Sequence, residues 1–216
     1  MKIDALFGFL KDPRLKRRLL LCGVGIVFMA LGVGLFRVSA MGVDPFQSLC
    51  SGLYRVIPLS EGITYILFNA LLLIFALIFR PRSVGLGTFV NMFFLGFLID
   101  GAEKLVSWVC GPQVSLAGQI ILLVLGLGVI SVGCSLYMTA DLGISTYDFI
   151  AVRLGETGKL PFRVFRIFTD LVCVGLGMLL GAMPGIATLI QALLMGPIIA
   201  FFNKHLSEPL LNKKKL

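Results

Sequence analysis

Apolar residues occur along the chain in six long runs, separated by shorter and more polar segments. A helix needs about 20 residues to cross the hydrocarbon core of a bilayer, since each residue adds about 1.5 Å. Each run has about that length and predicts one spanning helix: residues 19–38, 61–80, 86–106, 116–138, 163–181 and 185–203. The pattern therefore predicts an all-α integral membrane protein with about six transmembrane helices.

Two connections between the predicted spans are longer than a turn and contain apolar stretches of their own. The connections comprise residues 39–60 and 139–162, and their apolar parts lie within residues 42–57 and 143–160. The apolar runs within these ranges are about ten residues long, which is too short to span and is typical of re-entrant or interfacial segments. The sequence leaves these two placements open.

Turn and capping residues predict a short helix in each of these connections. Pro45 closely follows Gly42, so the first predicted span should break there and a short helix should start, with Asp44 as its N-cap. Ser145 or Thr146 can cap the corresponding helix of the second connection.

The two halves of the chain resemble each other at an offset of about 100 residues. At one offset, the matched pairs are Gly32 and Gly133, Leu35 and Leu136, Phe36 and Tyr137, Gly42 and Gly143, Phe46 and Tyr147, Gln47 and Asp148, and Asn69 and Asp170. With the offset shortened by one residue, the matched pairs are Gly85 and Gly185, Thr88 and Thr188, Asn91 and Gln191, and Gly96 and Gly196. Because each half has three predicted spans, the second half would enter the membrane from the opposite face. We therefore expect two inverted three-helix repeats, at 19–107 and 115–203, each with a short broken or re-entrant helix after its first span.

Composition supports a membrane environment and gives no support to an enzyme. Hydrophobic residues make up 58% of the chain and charged residues 14%, with a mean hydropathy of +1.00, whereas a soluble domain has about a quarter of its residues charged. The five cysteines form no C-x-x-C pair, and His205 is the single histidine. We expect no metal site, no cofactor and no catalytic residues.

The net charge of +8 is concentrated at the ends of the predicted spans. If the N-terminus is cytoplasmic, sixteen of the nineteen lysines and arginines fall on the cytoplasmic side, and Arg37, Arg55 and Lys104 fall opposite. The pattern predicts cytoplasmic termini, an amphipathic basic segment at 1–18 and a basic cytoplasmic tail at 204–216. It does not indicate nucleic-acid binding.

Two sets of motif residues recur in both halves and carry a family resemblance. They are Gly42, Pro45, Phe46, Gln47, Gly85, Gly87 and Thr88 in the first half, and Asp141, Gly143, Tyr147, Asp148, Gly185 and Thr188 in the second. Over nearly the whole chain after the N-terminal segment, the sequence resembles the YczE/YyaS/YitT family of bacterial integral membrane proteins. The resemblance implies a multi-pass protein of the bacterial cytoplasmic (inner) membrane.

Polar residues inside the predicted spans and short helices are the candidate site. An ionisable side chain at membrane depth costs about 2.5–3.5 kcal/mol on insertion scales, so it indicates function. The candidates for binding a substrate or ion are Asp170, Asn69, Asp44, Phe46, Gln47, Asp141, Tyr147, Asp148, Asn91 and Gln191. For Asp170 the alternative is a structural pair with Arg166, one turn earlier. Asp100 lies near a helix end and is a weaker candidate.

Inverted repeats and broken helices are typical of secondary transporters, which bind substrate where the repeats meet. The sequence therefore predicts a small-solute permease, with the bilayer and a small molecule or ion as its partners. A channel, and a non-transporting scaffold or subunit of a larger complex, remain alternatives, as does a homodimer. Helix N-termini favour an anionic group and Asp170 favours a cation, so a zwitterion would satisfy both.

Overall fold

The computed structural model describes residues 13–57, 61–79, 84–111, 113–158 and 160–212, which are helical apart from short connections. In chain order the α-helices are α1 (Leu15–Ser39), α2 (Pro45–Val56), α3 (Glu61–Phe79), α4 (Leu86–Cys110), α5 (Leu116–Ala140), α6 (Asp148–Thr157), α7 (Phe162–Leu179), α8 (Ile186–Phe202) and α9 (Glu208–Asn212). Among the described residues there are no strands.

Within the described residues, three helices are long and apolar enough to cross a membrane. They are Leu15–Ser39, Leu116–Ala140 and the continuous segment Ile186–Asn212, while Ile66–Phe79 is a shorter apolar helix. Charged side chains interrupt two of the other predicted spans, namely Asp100, Glu103 and Lys104 in α4 and Arg163, Arg166 and Asp170 in α7. The all-helical, membrane-type fold is thus as expected, whereas length and composition support spanning for three of the six predicted helices.

Helices α1 and α5 form the centre of the molecule, and their backbones touch. A Cβ atom added at Gly133 would lie 2.5 Å from the backbone nitrogen of Met29, and one added at Gly25 would lie 2.7 Å from that of Tyr137. Small residues allow such close approach between membrane helices. Around this pair, α4 packs on α1, α8 on α5, and α7 on both α2 and α8.

The first long helix of each half ends in the same backbone conformation. Ala40, after α1, and Asp141, after α5, are left-handed with φ of 53° and 50°. Two residues further on, Gly42 and Gly143 have φ of 149° and 122°, a region that side chains disfavour. These residues turn the chain from each long helix into the following short helix, α2 or α6.

Each of these connections is hydrogen-bonded to the other half of the chain. The N–H of Gly87, in α4, donates to the carbonyl of Leu142 at 2.8 Å, and the N–H of Ala187, in α8, donates to the carbonyl of Met41 at 3.1 Å. We call residues 41–43 and 142–144 the crossed connections.

Two threonines reinforce the crossed connections. The Thr88 hydroxyl donates to the carbonyl of Ile144 at 2.8 Å, and the Thr188 hydroxyl donates to the carbonyl of Val43 at 2.6 Å. Thr188 also accepts from the N–H of Val43 at 3.1 Å. Both threonines are buried, so these bonds fix each connection against the other half.

Helical structure extends into both predicted end segments where they are described. Helix α1 already begins at Leu15, so residues 15–18 extend the first long helix and are not part of a separate surface segment at 1–18. After α8 the chain continues through a π-helical turn, Asn203–Ser207, into α9, so much of the predicted tail at 204–216 is helical. Several basic residues used to predict orientation lie outside the described residues: Lys2, Lys11, Arg80, Arg82, Lys159, Lys213, Lys214 and Lys215.

Candidate functional site

A cavity of about 530 Å³ lies between the two halves, and most of the predicted site residues line it. These are Asp44, Phe46, Gln47, Asn69, Asn91, Tyr147, Asp148 and Gln191. They come from both short helices, from α3, α4 and α8, and from the connections before α2 and α6. The cavity therefore collects polar side chains that are far apart in the sequence.

Arg166 forms the charged centre of the cavity wall. It makes an ion pair with Asp148, and its Nε donates to Asp170 Oδ2 at 3.1 Å. All three residues are at most 5% exposed. Asp170 thus pairs with Arg166 as in the structural alternative, yet the pair belongs to the wall because Arg166 itself lines the cavity.

Tyr147 completes this group. Its hydroxyl donates to Asp170, and the guanidinium of Arg166 lies over its ring, 4.7 Å from the centroid. Sequence reasoning treated Arg166 as a partner for Asp170 and as one of the cytoplasmic basic residues, and did not include it among the site residues. The available signal was its position in a span, where an unneutralised guanidinium is costly.

The first turns of the two short helices meet at this centre. The Phe46 ring lies 5.0 Å from the Tyr147 ring, measured between centroids. Asp44 is the N-cap of α2, as predicted, and accepts from the N–H of Gln47 at 2.9 Å. Before α6, the Ser145 hydroxyl accepts from the N–H of Asp148 at 3.3 Å. Side chains of this chain therefore already satisfy N–H groups at both helix starts.

The repeat-matched residues Asn69 and Asp170 both contact the second connection. Asn69, in α3, accepts a hydrogen bond from the Thr146 hydroxyl at 2.8 Å, whereas Asp170 accepts from the neighbouring Tyr147. The two matched positions thus bind adjacent residues at the start of α6, one from each half of the chain.

The matched amides Asn91 and Gln191 have unused hydrogen-bonding capacity. Gln191 is 2% exposed, and its Nε2 donates to Met195 Sδ at 3.4 Å, but its Oε1 has no partner. The Nδ2 of Asn91 is also buried without a partner. Buried polar atoms are rarely left unpaired, so these two atoms are available to a bound molecule.

One side of the cavity is lined by α3 and α4. Two of its lining residues there, Ile66 and Phe93, are each 60% exposed. The matching helices of the second half, α7 and α8, pack closely together, whereas the described parts of α3 and α4 do not. The two halves therefore differ in conformation at this point.

Asp141 does not belong to the cavity, in contrast to the sequence-based prediction. Its side chain is 78% exposed and pairs with Arg18 at 3.2 Å. The reason is its position: it is the left-handed C-cap of α5 and lies at the helix end, before the turn that leads to the centre. Asp100 likewise pairs with Arg37, at 3.2 Å, and its side chain is 65% exposed.

The described residues contain no group of three His, Cys, Asp or Glu side chains that could hold a metal ion. Apolar helices long enough to cross a membrane define the class as an α-helical membrane protein. The chain belongs to a family of unknown function, DUF6198, whose model matches residues 16–204.

The relatives agree with the resemblance seen in the sequence. The chain is 26% identical to the uncharacterized protein YyaS of Bacillus subtilis over 194 residues, 89% of this chain and 96% of the relative. It is 25% identical to the uncharacterized membrane protein YczE of the same organism over 178 residues, 82% of this chain and 81% of the relative. An uncharacterized protein of Haemophilus influenzae is 25% identical over 176 residues, 81% of this chain and 78% of the relative. No solved structure matches the chain significantly.

Proposed function

We propose that this protein is a non-catalytic, small-solute transporter of the bacterial cytoplasmic membrane that binds its substrate in the central cavity. The observation that carries the proposal is the cavity itself, which brings polar side chains from both halves together inside a shell of apolar helices. Its volume of about 530 Å³ lies in the range of small-molecule sites, about 300–1,000 Å³.

The proposed architecture is two inverted repeats with six spans and cytoplasmic termini. Three features support it: the matched order of long and short helices, the matched left-handed ends of α1 and α5, and the crossed connections. In this arrangement α2 and α6 are re-entrant, because their first turns reach the centre of the molecule from two different long helices. Inverted repeats of this kind place the substrate site between them.

The difference between the halves supports alternating access. Because α7 packs on α8 while the described parts of α3 and α4 do not pack on each other, we infer that the cavity opens between α3 and α4. If α3 and α4 packed together and α7 and α8 separated, this opening would close and a corresponding opening between α7 and α8 would form. The substrate would then leave on the other side without a continuous pore, which distinguishes this mechanism from a channel.

A bulky side chain placed in the cavity tests whether the solute passes through it. Gly96 lines the cavity, and a Cβ atom added there meets no atom within 4 Å. We expect Gly96→Phe to reduce solute uptake into proteoliposomes at least tenfold, since the phenyl ring would occupy the site. Gly101→Phe is the matched control, because Gly101 lies on the same helix, also has open space and does not line the cavity.

The uptake screen would include amino acids, organic acids, organic cations and metal ions, with empty liposomes as the blank. Uptake above the blank that Gly96→Phe abolishes and Gly101→Phe retains is the expected result. Equal uptake by both variants would place transport elsewhere. Absence of uptake for every solute would refute the transporter and leave a scaffold or complex subunit.

A further inference from the structure

The charges around the cavity do not balance. Asp148 and Asp170 share one arginine, Arg166, and all three are buried, so this group has one carboxylate in excess. Asp44, on the same wall, interacts electrostatically with Asp170 and Arg166 and adds a second carboxylate. Burial raises the pKa of Asp44 and so favours its neutral form when no cation is bound. A cation in the cavity would favour the ionised carboxylates, which together outnumber Arg166.

The other basic residue of the lining does not offset this charge. Arg37 lies at one edge of the cavity and donates to Asp100 at 3.2 Å and to Glu103 at 3.0 Å. Its charge is therefore countered by two carboxylates at that edge. An excess charge away from water is costly unless an opposite charge lies close to it.

An independent observation points to a bound ligand. Gln191 lines the cavity, is 2% exposed, and has an acceptor oxygen without a partner. A ligand that donates a hydrogen bond would satisfy it. At the matched position in the first half, the Nδ2 of Asn91 has no partner, so it requires an acceptor on the ligand, such as a hydroxyl oxygen.

From these features we propose that the central cavity binds a small organic cation, held by the excess carboxylates and by the free amide groups of Gln191 and Asn91. The lining is otherwise largely apolar, with Phe46, Met29 and Met195 among its side chains, and this suits an ion with carbon substituents better than a hydrated metal ion. An anion is disfavoured because Arg166 already has two carboxylate partners, and because Asp44 and Ser145 cap the helix starts. The inference rests on the proposed function, since it names the substrate class of the same site.

The test compares cations with uncharged molecules of the same shape. Purified protein in detergent would be unfolded thermally with choline or its uncharged isostere 3,3-dimethylbutan-1-ol, and with guanidinium or urea at millimolar concentration. A ligand of the folded state raises the unfolding temperature. We expect at least one cation to raise it with a saturable concentration dependence, and the neutral partner of that cation to have no such effect.

A charge-neutral variant locates the binding. Asp44→Asn removes one carboxylate but keeps a residue that caps helices equally well, so the variant should fold. We expect the dissociation constant of the cation to rise about tenfold, as the loss of one nearby charge in a partly shielded site predicts. Asp141→Asn is the matched control, because Asp141 is exposed outside the cavity and asparagine tolerates its left-handed backbone. This control should bind like the parent.

The outcomes separate the inference from the proposed function. Equal shifts from a cation and its neutral isostere, or no shift from either cation, would overturn the cation site. Proteoliposome uptake of some other solute would in that case still support a transporter. Cation binding that Asp44→Asn weakens, without any flux, would support the site and refute transport.

Discussion

At the scale of single residues, the central feature is Arg166 between Asp148 and Asp170. A buried ion pair adds little net stability, because the loss of water around each charge offsets much of the attraction between them. The arrangement is nevertheless sensitive to the loss of one member, since the remaining charges would then be buried without a partner. Tyr147, which donates to Asp170, gives this carboxylate a second donor.

We therefore predict that Arg166→Met strongly destabilises the protein. It should lower the free energy of unfolding by about 3–5 kcal/mol, because two buried carboxylates lose their shared cation. The measurement is thermal unfolding in detergent. Arg163→Met serves as the control, since Arg163 lies one turn earlier on the same helix and is exposed.

A second variant separates charge from packing. The triple variant Arg166→Met, Asp148→Asn, Asp170→Asn should regain much of the lost stability, because the carboxylates that lacked a partner become neutral amides. An Arg166→Met protein as stable as the parent would contradict the ion-pair assignment. Failure of the triple variant to recover would mean that packing of the arginine stem dominates.

At the scale of helices, local signals predicted more than long-range ones. Pro45 after Gly42, with Asp44 as a cap, correctly indicated the start of α2. The continuation of helical structure past Phe202 was not predicted, because basic residues after an apolar run are equally common whether or not the helix continues. The crossed connections were not predicted, although Thr88 and Thr188, which reinforce them, are matched in the repeat. A matched position does not show which distant backbone group its side chain bonds.

The close packing of α1 on α5 gives a prediction for small residues. Gly133→Ala should lower the free energy of unfolding by about 1–3 kcal/mol, because its Cβ would overlap the backbone of Met29 and push the helices apart. Gly128→Ala, on the same helix and with no atom within 4 Å of an added Cβ, should be neutral or stabilising by up to about 1 kcal/mol. Equal effects in thermal unfolding would show that α1 and α5 are not in backbone contact.

The crossed connections give a second prediction for helices. Thr188→Val keeps the side-chain shape but removes two hydrogen bonds to Val43, so it should cost about 1–3 kcal/mol of unfolding free energy. Thr157→Val, at an exposed hydroxyl that bonds only to the carbonyl of Arg153, should change stability little. Hydrogen exchange at residues 41–43 would report the loosened connection directly, and unchanged protection there would count against the bond.

At the scale of the whole molecule, the sequence indicated the fold class but not how the two halves combine. The apolar runs correspond to helices α1, α3, α4, α5, α7 and α8. Most of the predicted site residues line the cavity, and three of them, Asn69, Asn91 and Gln191, lie within these runs. Asp141 was placed in the site because it belongs to the same sequence motif as Tyr147 and Asp148. In the structure it is the left-handed C-cap of α5, so its side chain lies at the helix end and outside the cavity. The six-span topology stays a prediction that labelling can test.

Cysteine labelling of the intact cell tests that topology. In a Cys110→Ser background the remaining native cysteines are buried, so an introduced cysteine would dominate the signal. A membrane-impermeant maleimide should label Gln113→Cys and Met183→Cys in intact cells, and Lys204→Cys only after permeabilisation. These sites lie between α4 and α5, between α7 and α8, and after α8. Labelling of Lys204→Cys in intact cells would reverse or refute the proposed orientation.

The crossed connections also impose an order on biosynthesis. When the first half has left the ribosome, the carbonyls that accept from Gly87 and Thr88 have not yet been made, because they belong to Leu142 and Ile144. The first half therefore cannot reach its final structure by itself. Its donors at Gly87 and Thr88 lack these acceptors until the second half has been inserted. In the proposed inverted-repeat architecture, a separate half would by the same logic have needed a second copy of itself to supply these acceptors.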